Sequence, residues 1–408
     1  MSAIRSNKIP RQFIRSMSLE THTVTSTSPP PPLQQKKKLD SKLFPEETRA
    51  KLERLRQHHF HPSNIPDSPD FGTNQYMNIN EELKQQLKAV VSQFHAPVRY
   101  AVAYGSGVFR QSGYDEKSKP MVDFIFGVSH PGHWHALNIQ QNPHHYSSLR
   151  HLGSGAVSLL QEKVGAGVYF NPYVEVNKMN IKYGVISIDK LCKDLIDWET
   201  LYVAGRMHKP VKILRDDSRV RLANQVNLTE AVRVALLTLP ENFTEEELFM
   251  RIAGISYQGD FRMMVGENPN KVKNIVTSQM DNFHRLYFGL LDDLPNVAVL
   301  NGGKLQQSYN PRYRGLMVKK LPKTLYDKVL NQYRQHAASN NINVPEDMTV
   351  VYEQVAQSEH LSSFIDKGLT EIIGRTALTQ SVKGIFTAGP LKSINYVGEK
   401  LSKWWTAK

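Results

Sequence analysis

The chain has 408 residues, 40% of them hydrophobic, and a formal net charge of +13. That length leaves room for two globular domains plus tails, while the longest apolar runs, Ala231 to Leu239 and Met121 to Val128, fall far short of the roughly 20 residues that cross a bilayer. The single cysteine, Cys192, excludes an intramolecular disulfide.

The charge is uneven along the chain. Residues 1 to 38 carry Arg5, Lys8, Arg11, Arg15, Lys36, Lys37 and Lys38 against Glu20, and residues 373 to 408 carry Arg375, Lys383, Lys392, Lys400, Lys403 and Lys408 against Glu399. Only +2 is left for the middle, which speaks against a nucleic-acid-binding core. With no acid before Glu20, spaced basic residues and a Ser/Thr stretch, residues 1 to 38 have the composition of a mitochondrial transit peptide; a disordered basic tail is the alternative. Residues 39 to 79 read as a linker with a short polar helix around Pro45 to His58.

The folded part is expected from residue 80. Val98 to Tyr104 and Met121 to Ser129 are apolar, β-branched runs and read as buried strands. Gly167 to Val176 and Ile181 to Ile188 predict a hairpin turning at Asn177 and Lys178. Lys190 to Ala204 predicts a helix closed by Gly205, with Cys192 an inert thiol on it. This mixture indicates an α/β or α+β domain up to about residue 220. From Leu228 the periodicity becomes helical, and Thr244-Glu245-Glu246-Glu247 is a capping box with Phe243 and Leu248 as its staple. A second, mostly helical domain follows, with residues 300 to 350 giving little pattern.

Two features carry chemistry. Gly105 and Gly107, after the first strand, let backbone amides approach phosphate oxygens, and Ser106 adds a hydroxyl. Asp123 is the one charged side chain between Met121 and Val128, and a carboxylate in a buried strand is costly unless it meets a cation. A phosphate turn beside a metal-binding carboxylate suits nucleotidyl transfer, which needs a triphosphate held still and neutralised. A structural Gly-Ser-Gly turn next to an unrelated Asp is the competing reading.

Eight blocks in order resemble one family. They are Tyr104-Gly-Ser-Gly-Val-Phe109, Met121-Val-Asp-Phe-Ile-Phe126, Asn142-Pro-His-His-Tyr-Ser147, Gly165-Ala-Gly-Val-Tyr-Phe-Asn171, Ile181-Lys-Tyr-Gly-Val185, Ala204-Gly-Arg-Met-His-Lys-Pro-Val211, Gly259-Asp-Phe-Arg262 and Gly384-Ile-Phe-Thr-Ala-Gly389. Together they resemble the mitochondrial translocator assembly and maintenance proteins, the mitochondrial phosphatidate cytidylyltransferases or CDP-diacylglycerol synthases, over roughly residues 80 to 408.

The resemblance implies an α+β fold class: a nucleotidyltransferase-like mixed-sheet domain at 80–222, a mostly helical winged-helix-like domain at 223–372, and an amphipathic segment at 373–408. It implies CTP and phosphatidic acid as substrates, magnesium as cofactor, and a peripheral place on the matrix face of the mitochondrial inner membrane, on the route to cardiolipin. Residue by residue, it puts Gly105, Ser106 and Gly107 on the CTP phosphates and Asp123 on the metal. Lys182, Arg206, His208 and Lys209 become candidate phosphate contacts, with Ser106 and Lys182 beside Asp123 as catalytic candidates. Asp260, Arg262 and Glu267 either close over the nucleotide or pair with one another.

One departure concerns the metal. The wider superfamily carries two carboxylates spaced D-x-D, whereas Met121 and Ile125 flank Asp123 here. Asp115, Glu175 and Asp189 are candidates for a further ligand, with Glu175 ranked first because a strand position is better preorganised. The histidines His130, His133, His135, His144, His145 and His151 raise a zinc site, but one cysteine and no helical H-x-x-x-H pair favour a loop flanking the active site.

At the C-terminus, Leu391, Ile394, Gly398, Leu401 and Trp405 recur at helical spacing beside Val397 and Trp404, with Lys392, Lys400 and Lys403 on the remainder. Such a basic amphipathic helix suits an anionic membrane surface, each lysine adding about 1 kcal/mol. Packing on the protein's own core is the alternative. Val382, Ile385 and Phe386 precede it and can enter the same interface. Two further functions have signatures of their own: an RNA nucleotidyltransferase would label RNA, and a non-enzymatic membrane adaptor for protein import would bind membranes without turning over any nucleotide.

Overall fold

The computed structural model describes residue 68 and residues 70–109, 120–264, 268–291 and 294–388. The chain divides into Met1–Phe71 and Gly72–Lys408, and the described architecture belongs to the second unit. The expected transit segment, the helix around Pro45 to His58 and the amphipathic helix from Leu391 to Trp405 lie outside the described residues.

In chain order the first part runs α1 (Glu81–Ser92), β1 (Tyr100–Tyr104), β2 (Val122–Val128), α2 (Pro131–Gln141), α3 (Gly153–Lys163), β3 (Tyr169–Val176), β4 (Met179–Ser187), α4 (Ile188–Asp197), α5 (Ala204–Met207), β5 (Lys212–Arg215) and α6 (Ser218–Thr238). It continues as β6 (Asn242–Thr244), α7 (Glu245–Gly254), α8 (Phe261–Met264), α9 (Lys271–Thr277), α10 (Met280–Leu291), β7 (Val297–Val299), β8 (Lys304–Gln307), α11 (Pro311–Lys319), α12 (Lys323–Ser339), α13 (Met348–Gln357) and α14 (Leu361–Ala388).

The first five strands form one mixed sheet in the order β3-β4-β2-β1-β5. β2 pairs antiparallel with β1 and parallel with β4, so Asp123 sits between Tyr104 on one side and Lys182 on the other. Alternation along a strand sends neighbouring residues to opposite faces. Phe126 and Tyr183 therefore stack on each other on the face toward α2 and the residues that follow α1, where Phe94 and Trp134 meet them edge-on. On the other face Gly127 lies so close to Ile188 of α4 that a Cβ would come within 2.8 Å of its Cδ1. Helices thus cover both faces, and the architecture is mixed α+β.

The β3–β4 hairpin turns at Asn177 and Lys178 as its sequence predicts, with φ of 50° and 62°, the primed-turn geometry that matches strand twist. The capping box also forms: Thr244 accepts from the Glu247 amide at 3.2 Å, and Glu247 accepts from the Thr244 amide at 2.8 Å. The helix expected over Lys190 to Ala204 is shorter. It ends at Asp197, where Trp198 takes a left-handed conformation. The reason is Asp194: its buried carboxylate accepts from the amides of Thr200, Leu201, Val203 and Ala204 at 2.8 to 3.1 Å, so the chain wraps around it instead of continuing the helix.

Helical structure begins at Ser218, before the Leu228 expected, and α6 passes residue 222 without a break. Asp217 caps it by accepting from the amides of Arg219 and Val220. No residue from Val220 to Thr238 is exposed, which is the mark of a helix packed on all sides. Beyond it, β6, β8 and β7 form a three-stranded antiparallel sheet among the remaining helices.

The histidine cluster is not a loop. His135 lies on α2, fully buried between the Tyr146 hydroxyl and Gln161, each at 2.8 Å, and burial pushes its pKa down to about 4. His145 meets the Tyr183 hydroxyl at 2.9 Å. Both support the sheet from its far face. Among the described residues no group of three or more His, Cys, Asp or Glu is arranged to hold a metal ion.

Candidate active site

The site lies where β1 ends and β2 and β4 begin. The Gly105 carbonyl accepts from the amides of both Val108 and Phe109, at 3.1 and 3.0 Å, curling the chain into a turn. Gly105 has a φ of +81°, which an L side chain adopts only with strain. Gly107 is needed for a different reason: a Cβ there would meet Val122 Cγ2 at 2.9 Å and the Met121 carbonyl oxygen at 3.0 Å. The two glycines set the turn directly against β2, and Asp123 Oδ2 lies 3.5 Å from where a Gly105 Cβ would stand.

Asp123 and Lys182, cross-strand neighbours, form an ion pair with Nζ 3.1 Å from Oδ1. Their side chains keep 28% and 18% of their exposure, so an incoming ligand can reach both. Lys182 Nζ also sits 4.7 Å from the centre of the Phe170 ring, a cation–π contact that helps fix its direction.

Arg206, on α5, reaches the same corner. Its Nε donates to the Tyr104 hydroxyl at 3.2 Å, its Nη1 donates to the Tyr202 carbonyl, and its guanidinium stacks 3.8 Å above the Tyr202 ring. Burial works against its charge, but Tyr202, Tyr104 and Asp123 hold its pKa above the ordinary arginine value. Burial, then the Asp123 charge, pushes Tyr104 up to about 12, so its phenol stays protonated.

Lys209 continues this positive edge. Its Nζ donates to the Gly205 carbonyl at 2.5 Å and the Ser256 hydroxyl at 2.8 Å, and lies 4.9 Å from the centre of the Tyr257 ring. Burial, then Arg206 and Lys271, lowers its pKa well below the usual lysine value. The contact depends on Gly205, where a Cβ would stand 2.4 Å from that of Ser256.

Other candidates fall elsewhere. His208 is fully buried, its Nε2 2.9 Å from Asn227 Oδ1, with burial pushing its pKa down to about 3; it supports α6 and does not reach a phosphate. Asp260 and Arg262 pair with each other, Nε reaching Oδ1 at 2.8 Å and Nη2 reaching Oδ2 at 2.5 Å. Asp189 lies at the opposite end of β4 from Lys182, paired with Arg219 at 2.8 Å. Glu175 is exposed on β3 and pairs in register with Asn180, two residues along β4 from Lys182. Asp115 and Glu267 lie outside the described residues. Cys192 is buried, and burial pushes its thiol up to about 12, as expected of an inert cysteine.

Tyr202, Ser256, Tyr257 and Lys271 belong to the same neighbourhood, yet no motif pointed to them. They arrive from separate elements, and only the fold brings them together.

Residues 87–403 match the family model described as "Phosphatidate cytidylyltransferase, mitochondrial". A protein of that name from Schizosaccharomyces pombe is 42% identical over 346 residues, 82% of this chain and 87% of its own. Its Xenopus laevis counterpart is 43% identical over 326 residues, covering 78% and 94%. That of Saccharomyces cerevisiae is 39% identical over 341 residues, covering 82% and 74%. Among solved structures, a nucleotidyltransferase-like protein from Exiguobacterium sibiricum aligns over 74% of this chain and 77% of its own at 12% identity, with a TM-score of 0.22, too low to bear on the fold.

Proposed function

This chain belongs to the mitochondrial phosphatidate cytidylyltransferase family, and we propose that it transfers the cytidylyl group of CTP to phosphatidic acid, giving CDP-diacylglycerol and pyrophosphate. The observation that carries this reading is the Asp123–Lys182 pair set directly against the Gly105–Gly107 turn. The amides of Ser106 and Gly107 take no hydrogen bond among the described residues. They are free to cradle a phosphate, as consecutive amides in such turns do.

In the reaction, an oxygen of the phosphatidate phosphate attacks the α-phosphorus of CTP and the bond to the β-phosphate breaks. The acceptor is already anionic near neutral pH, so no strong general base is required. Ser106 and the turn amides hold the triphosphate in line. Lys182 and Arg206 offset the charge that builds on the departing pyrophosphate. Tyr104 and Tyr202 fix the Arg206 guanidinium in place through one hydrogen bond each and the stacked ring.

Magnesium is the cofactor we assign. A reachable carboxylate fits it, because magnesium takes most of its ligands from phosphate oxygens and water. Asp123 would hold it, with Glu175 as a second, more distant carboxylate, and the ion would supply charge neutralisation across the phosphates. Lys182 would then exchange its Asp123 partner for a phosphate oxygen.

The mixed sheet supports assigning residues 80–222 to a nucleotidyltransferase domain, and the helices around the β6-β8-β7 sheet support a winged-helix-like domain at 223–372. We place the enzyme in the mitochondrion, peripheral on the matrix face of the inner membrane and on the route to cardiolipin. No helix of the described residues is long and apolar enough to cross a membrane. Leu378, Val382, Ile385 and Phe386 form an exposed apolar stripe on α14, leading into the segment whose sequence predicts a basic amphipathic helix.

The test is direct. Full-length protein with CTP, magnesium and phosphatidate liposomes should release CDP-diacylglycerol, and Asp123→Asn should lower the rate at least about 100-fold with the fold intact by circular dichroism. Equal rates for the two proteins would sink the assignment of Asp123.

A further inference from the structure

Phe170 has no polar side-chain group for a phosphate to meet, yet the fold builds it against Lys182. It is the register partner of Gly184 on β4, and Gly184 lies two residues from Lys182 on the same face of that strand. The ring can lie there because the partner is a glycine: a Cβ at Gly184 would come within 2.6 Å of Phe170 Cε1 and 3.0 Å of Cδ1. Opposite Lys182 the register of β3 against β4 shifts, between Asn171 and Val174, and Tyr173 in that bulge takes a φ of +52°. Lys182 Nζ ends 4.7 Å from the centre of the Phe170 ring.

The ring is braced in turn. Phe170 meets Tyr202 edge to face, with centres 6.2 Å apart, and the Tyr202 ring carries the Arg206 guanidinium at 3.8 Å. Two buried rings in contact thus hold the two cations assigned to the departing pyrophosphate. A ring face attracts an ammonium through its quadrupole and adds no formal charge. Lys182 is paired with Asp123 at rest and must leave it to meet a phosphate. A second carboxylate at the position of Phe170 would hold the lysine back, and an aliphatic wall would let it turn away from the site. An aromatic face does neither.

We propose that Phe170 is a positioning residue of the transfer: its ring face, seated on Gly184 and braced by Tyr202, keeps the Lys182 ammonium over the site as it passes from Asp123 to a phosphate oxygen of the nucleotide. The proposal rests on the cytidylyltransferase reading and adds to it a residue that acts through Lys182.

The experiment uses the full chain with saturating CTP and a short-chain, water-soluble phosphatidate, so that docking to a bilayer does not enter the rate. Phe170 is replaced by phenylalanines carrying one, two and three fluorines, which drain the ring face of negative potential with little change of shape. The expected result is a stepwise fall in kcat, about threefold or more by the third fluorine, with KM for CTP changed less than about twofold. Phe170→Leu, which keeps the apolar bulk and loses the ring, should lower kcat about tenfold. In a Lys182→Gln background the same Phe170→Leu step should cost less than about twofold, because the group it acts through is gone.

A kcat that stays level across the fluorine series would mean that the ring only fills space, and would overturn the proposal. So would an undiminished effect of Phe170→Leu in the Lys182→Gln background, which would give the ring another partner, or a rise in KM for CTP at unchanged kcat, which would make Phe170 part of the nucleotide pocket. Should Phe170→Leu fail to fold, the fluorinated series carries the test, since those chains keep the native ring. A wild-type chain that makes no CDP-diacylglycerol would end the cytidylyltransferase reading and this proposal with it, whereas an active wild type with a level series would end the proposal alone.

Discussion

The carboxylate of Asp194 receives four backbone amides and the Thr200 hydroxyl, and the loop it holds delivers Tyr202 and Arg206 to the site. Removing a buried acceptor leaves its donors unsatisfied, at about 1–3 kcal/mol each. Asp194→Ala should therefore lose about 3 kcal/mol or more in urea unfolding, and Asp194→Asn, which keeps one carbonyl oxygen, less; a loss below about 1 kcal/mol would show that the loop holds itself. Nothing in the sequence marked this residue. Asp123 stood out because an acid in an apolar strand has few innocent explanations, and the glycines around Ser106 because turns beside phosphates favour them. Asp194 reads as one more polar position on an amphipathic helix, because the amides it captures lie in the following loop, beyond the helix whose periodicity it shares.

Strands and local turns were legible, since alternation, β-branched content and the capping box are properties of neighbouring residues. The end of α4 was not, because a side-chain-to-backbone hydrogen-bond set from Asp194 overrides a periodicity that continues past it. The histidines misled for a related reason: spacing alone cannot distinguish a loop from a buried network shared between α2 and the far face of the sheet. One element carries a pH signature. Lys383 on α14 is buried, donating to the carbonyls of Gln161 and Val164 at 3.0 and 2.7 Å beside the end of α3. Burial pushes its pKa down to about 7, with Glu162 opposing, whereas an unfolded lysine titrates at about 10.4. Between those values the unfolded chain keeps a proton that the folded chain has released, so stability rises with pH across that window and is flat below it. Lys383→Met should reduce the rise in urea midpoint from about pH 7 to about pH 10 relative to wild type; parallel profiles would mean that Lys383 stays charged in the fold.

At the scale of the whole molecule, the basic excess of the sequence lies in its tails and the middle is nearly neutral, so the proposed docking can be tested apart from the chemistry. Deleting residues 389 to 408 should weaken sedimentation with anionic liposomes at least about tenfold while leaving turnover of short-chain phosphatidate nearly unchanged. Retained liposome binding would shift docking to the exposed stripe at Leu378, Val382, Ile385 and Phe386, and lost turnover would mean that the segment packs on the core. The expected boundary at residue 222 falls inside α6, whose residues from Val220 to Thr238 are nowhere exposed. As a gene product the enzyme is therefore poorly divisible: a coding sequence stopped near that codon would leave α4 and α5 without the helix they pack on, and one begun there would strip α6 of its cap. A reporter or affinity tag belongs at Gly302 and Gly303 instead, the hairpin tip where an added side chain meets nothing within 4 Å.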